Sequence, residues 1–114
     1  MAKAGTRTID ASSSVRCMVV DLTPEQETAC RRALFPVEFV RATGVREACT
    51  IMSVVLPLLV IVDEAISDAD RLALAEFTTA CGAEIVMVER TPTAIASRLL
   101  EALRVAERRR LGAL

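Results

Sequence analysis

Four short apolar runs punctuate this chain, and after each the spacing of apolar residues lengthens to every third or fourth position. Val15 to Val20 is apolar apart from Arg16, Val37-Glu38-Phe39-Val40 alternates, Leu58 to Val62 is wholly apolar behind Pro57, and Glu84 to Val88 is apolar after its first residue. Runs this short, bounded by turn-forming residues and acids, predict strands, and the unbroken ones predict strands covered on both faces.

The intervening stretches carry a helical period. Thr23-Pro24-Glu25-Gln26 is a helix start in which Thr23 caps, Pro24 suits the first helical position and Gln26 closes a capping box. Ala29, Cys30, Ala33 and Leu34 supply its buried stripe, and Pro36 stops it. Thr43 is expected to cap a second helix, with Val45, Ala48, Cys49 and Met52 at i, i+3, i+4 and i+7. A third helix, from Asp68 to Cys81, turns Ala73, Leu74, Phe77 and Cys81 inward; Asp68 and Asp70 are its cap and first-turn residues, and Gly82 is its stop. Thr91-Pro92 opens the last helix, whose inner face is Ile95, Leu99, Ala102, Leu103 and Ala106.

The order βαβαβαβα calls for a parallel α/β sheet with helices on both faces, joined by right-handed crossovers. If the first crossover runs one way and the later ones the other, the result is a flavodoxin-like three-layer sandwich with strand order 2-1-3-4. Residues 1–14, small and polar up to Ser12-Ser13-Ser14, read as a flexible N-terminal tail, 15–110 as a single domain, and 111–114 as a C-terminal tail.

Composition narrows the chemistry. With 114 residues, 53% of them hydrophobic, the chain fills one core and leaves no material for a second. Three Phe and no Trp or Tyr provide no base-stacking platform, and a net charge of -1 gives no long-range attraction to nucleic acid or an acidic membrane. The absence of histidine removes the commonest general base and metal ligand. Cys17, Cys30, Cys49 and Cys81 lie far apart without a Cys-x-x-Cys pair and read as small buried hydrophobes in a reducing compartment. The longest apolar run, Ile51 to Val62, is broken by Ser53 and Pro57 and is too short to span a bilayer. No secretory signal is visible, and the expected location is the cytoplasm.

One stretch carries candidate chemistry. Pro57-Leu58-Leu59-Val60-Ile61-Val62-Asp63 delivers an acid to the exit of an apolar strand, where open α/β sheets place their ligands. This stretch, with Ile66-Ser67-Asp68-Ala69-Asp70-Arg71 behind it, resembles the third strand and following loop of response-regulator receiver domains, with Ser67 and Arg71 replacing the family's loop proline and glycine. The likeness runs from about Val15 to Arg110 but over four βα units, where full receivers have five. Ile85 to Val88 looks like the receiver's fourth strand; alternatively, Ala80 to Glu84 looks like the junction before its fifth, with Thr91-Pro92 near the family's Lys-Pro. The second alignment is preferred.

The resemblance makes Asp63 the candidate phosphoacceptor and Asp21, with Asp63, the candidate Mg²⁺ ligands of a phosphorylatable domain. Departures accompany it. Leu22 stands at the second position of the family's acidic pair, the only lysine is Lys3, and Glu89 occupies the strand-four hydroxyl position under the first alignment. Arg90 could supply a cation, though not a lysine's geometry. The reading is therefore a truncated, degenerate pseudo-receiver that needs no cofactor, is not an enzyme, and binds signalling or regulatory proteins. Its alternatives are a phosphorylatable receiver and, with Ser67 near the relevant loop, an anti-sigma-antagonist-like STAS module. Two surfaces are candidates for interaction. Glu84, Ile85, Val86, Met87 and Val88 would form a sheet edge open to strand addition, and Arg104, Arg108, Arg109 and Arg110 make a basic patch. A homodimer through the fourth strand or last helix is expected, without nucleic acid or membrane insertion.

Overall fold

The computed structural model describes residues 16–90 and 95–112, the side chain of Arg110 excepted, so the N-terminal tail and the Thr91-Pro92 helix start lie outside the described residues. Four strands, β1 Arg16–Val20, β2 Glu38–Ala42, β3 Leu59–Asp63 and β4 Glu84–Val88, alternate with four helices, α1 Pro24–Ala33, α2 Gly44–Val55, α3 Asp68–Cys81 and α4 Ile95–Gly112. All strand pairs are parallel and the order is 2-1-3-4, the flavodoxin-like arrangement the sequence predicts. Among the described residues no helix is long and apolar enough to cross a membrane.

Alternation along the strands divides the core between two faces. Cys17, Val19, Leu59, Ile61, Val86 and Val88 pack with Cys30 and Leu34 of α1 and with Ile95, Leu99 and Ala106 of α4. Met18, Val20, Val60 and Val62 pack on the other face with Ala48 and Met52 of α2 and Leu74 of α3. Each fully buried aliphatic side chain, such as Leu59 or Leu99, contributes about 1.5–3 kcal/mol. Gly82 ends α3 in the left-handed conformation, as its position predicts.

Four details differ from the sequence reading. The second strand runs to Ala42 because Arg41 and Ala42 pair with Val19 and Val20, extending β2 as far as its neighbour. Ala73 is exposed, and Thr78 is buried instead, its hydroxyl donating to the Ala75 carbonyl at 2.9 Å. The cap of α3 is Ser67, which accepts the Asp70 N–H, while Asp68 and Asp70 sit in the first turn. The last helix continues through Leu111 to Gly112, past the boundary placed at Arg110.

Candidate functional site

β1 and β3 end side by side. Because Val20 pairs with Val62, the next residues, Asp21 and Asp63, stand at one level on the carboxyl edge of the sheet. A crevice of about 210 Å³ opens at this switch point, with Asp21, Asp63, Ile66, Asp70 and Arg90 in its wall.

Asp63 is buried, with a donor on each carboxylate oxygen. Its Oδ1 accepts the Ala65 N–H at 2.8 Å, and its Oδ2 accepts Gln26 Nε2 at 3.2 Å and Arg90 Nε at 3.0 Å. Gln26, with no exposed surface, also uses Oε1 to accept the Thr23 N–H at 2.9 Å and donates from Nε2 to the Glu89 carbonyl at 3.1 Å. One amide thus joins the start of α1 to the ends of β3 and β4. The Arg90 side chain is 69% exposed and that of Asp63 only 11%, so the guanidinium covers the carboxylate. Burial pushes the Asp63 carboxyl upward, but the Ala65 N–H, the Gln26 amide and the Arg90 guanidinium together outweigh it and hold the group below its usual range.

Asp21 has a different task. Its backbone is left-handed, with φ at 55°, a conformation aspartate tolerates better than most residues. Its carboxylate accepts the Gly44 N–H at 3.1 and 3.2 Å, capping α2 from the neighbouring strand. The expected cap, Thr43, makes no such side-chain bond, and its own N–H goes to the Glu47 carboxylate.

These commitments bear on Mg²⁺, which the phosphorylatable reading would require. That ion prefers near-octahedral oxygen ligation. Here Asp63 is neutralised by Arg90, Asp21 is turned to Gly44, and Leu22 offers no side-chain oxygen. Among the described residues no group of three or more His, Cys, Asp or Glu could hold a metal. The residues do not fit the ion as they stand.

The other candidates are dispersed. Ser67 is spent as the α3 cap. Glu84 to Val88 forms an edge strand as expected, with Val86 and Val88 turned into the core and Met87 exposed. Arg109 lies 2.8 Å from Glu84 in an ion pair that is not aligned as a hydrogen bond. Arg104 and Arg108 are exposed.

Sequence reasoning treats Gln26 only as a cap. The signal for more is its phase: four residues before Cys30, it falls on the inward stripe of α1. A second polar tie, Arg41 holding Glu27 through two hydrogen bonds of 2.8 and 2.9 Å, was also missed. It borders a larger hollow of about 530 Å³ between α1 and β2. Comparison with protein-family models, curated proteins and solved structures finds no match to this chain.

Proposed function

We propose that this chain is a non-catalytic, receiver-like module that acts by binding other proteins in a signalling or regulatory system. The observation that carries the reading is the closure of the Asp63 carboxylate by the chain's own donors. A phosphoacceptor must present a free carboxylate oxygen to the incoming phosphorus, beside groups that neutralise the added charge. Asp63 has a donor on each oxygen, and its cation, Arg90, is already paired with it. The strand order and the two aspartates at adjacent strand ends support the receiver likeness. The neutralised crevice supports a role without phosphoryl transfer.

The test is an amide NMR titration with Mg²⁺ and then beryllofluoride, a mimic of an aspartyl phosphate, with Asp63→Asn as control. The expected result is no site-specific shift at millimolar Mg²⁺. Saturable shifts centred on Asp21 and Asp63 that vanish in Asp63→Asn would replace this reading with a phosphorylatable switch.

A further inference from the structure

The sheet edge and the last helix are not equivalent as surfaces for a second copy of the chain. On β4, Glu84 donates to the Leu58 carbonyl and the Val88 carbonyl accepts from Glu64, so Glu84, Val86 and Val88 bond toward β3 while Ile85 and Met87 direct their backbone groups outward. The outward Met87 carbonyl accepts Arg98 Nη1 at 3.2 Å. A charged side chain on the edge is a standard defence against strand addition. Among the described residues, no hydrogen bond or ion pair covers Leu100, Arg104, Glu107 and Leu111 on the outer face of α4 in the same way.

Leu100, Arg104, Glu107 and Leu111 recur at i, i+4, i+7 and i+11, which places them within about 60° of one another around the helix. The two leucines are 45% and 68% exposed. Both charged residues are exposed, and neither takes part in an ion pair among the described residues. The stripe is symmetric in chemistry. Turned antiparallel about a two-fold axis between Arg104 and Glu107, it sets Leu100 against Leu111 of the second copy and Arg104 against Glu107 of the second copy, and repeats both pairs by symmetry.

We propose that the outer face of α4 docks a second copy of this chain, in an antiparallel two-fold pairing of these four residues. Four side chains per copy cover less than the ~1,200–2,000 Å² of a stable standard interface, so the dimer is transient. Opposite charges facing each other fix its register.

Sedimentation equilibrium from the micromolar to the millimolar range tests this in the full chain. The wild type should show a concentration-dependent monomer–dimer equilibrium. Arg104→Glu and Glu107→Arg should each weaken it by about tenfold or more, because each sets like charges in opposition twice per dimer, and the double variant Arg104→Glu/Glu107→Arg should restore it. Circular dichroism at 222 nm checks that each variant is folded. A wild type that stays monomeric throughout overturns the proposal. So does a dimer indifferent to the charge reversals, including one lost instead on Met87→Pro, which would locate pairing at the β4 edge.

Discussion

Gln26 is the residue whose removal most directly tests how the candidate site is held. Truncation by Gln26→Ala deletes one hydrogen bond to an ionised carboxylate and two neutral ones. The first is worth about 1.5–3 kcal/mol and the others about 0.5–1.5 kcal/mol each. The loss is partly offset: Asp63 keeps Arg90 and the Ala65 N–H, and the half-buried Thr23 N–H can turn to water. The expected cost is about 2–4 kcal/mol, a large fraction of the ~5–15 kcal/mol by which such domains are stable. Because the chain has no Trp or Tyr, urea unfolding should be followed by circular dichroism at 222 nm.

Gln26→Glu sharpens the test by keeping the shape and reversing the chemistry. It replaces a donor 3.2 Å from Asp63 Oδ2 with a second carboxylate. Burial and the like charge both raise the introduced carboxyl's pKa in the folded state above its unfolded value. The resulting penalty is full above the folded value and vanishes below the unfolded value of ~4.3, so the deficit against wild type shrinks as pH falls from neutral toward that point. A loss under ~0.5 kcal/mol in Gln26→Ala, the level of ordinary surface substitutions, would refute the reasoning. A deficit in Gln26→Glu that does not change with pH would refute it equally.

Asp63 has a folded-state pKa below its ordinary 3.8, so its stabilisation is fully present above that value and disappears as pH falls through the lower, folded one. Unfolding free energies of wild type and Asp63→Asn should therefore differ at neutral pH and converge in acid; parallel curves would contradict the ion-paired geometry. Burial above all pushes Cys17 up to about 12 and Cys30 up to about 11, so neither should react with a thiol reagent in the native protein at mildly alkaline pH. Cys49 and Cys81 are half-buried and should react first, with all four thiols titrating only after unfolding; native labelling of Cys17, read by mass spectrometry, would count against the packing of β1.

The strand and helix order was legible because every element carries its own period and punctuation. Thr23-Pro24-Gln26 and Gly82 mark their helix ends by local chemistry alone, and both behave as read. What the sequence could not show is chemistry supplied from a distance. The α2 cap comes from Asp21, 23 residues away, so Thr43 was the natural local choice. Arg90 meets Asp63 across 27 positions and Gln26 meets it across 37, and neither pairing leaves a mark on local spacing. Thr78 leaves no apolar mark for the opposite reason: its hydroxyl is satisfied within its own helix, which lets a polar residue lie on the buried side of α3, while Ala73, expected inward, is exposed.

Two aspartates at adjacent strand ends in a doubly wound sheet invite a catalytic reading, yet both have structural work that would keep them in place without any reaction. Asp21 must terminate β1 in a left-handed turn and hold the first N–H of α2, and a short acid does both. Asp63 must end a strand buried on both faces, where a carboxylate is tolerated only if its charge is matched and its oxygens are hydrogen-bonded. Arg90 matches the charge, and Ala65 on Oδ1 with Gln26 and Arg90 on Oδ2 places a donor on each oxygen. Each of the donors that hold this carboxylate, Gln26 on α1, Ala65 in the loop behind β3 and Arg90 behind β4, lies beyond the strand that carries the acid, so its structural role is set by the fold as a whole and not by the strand's own sequence.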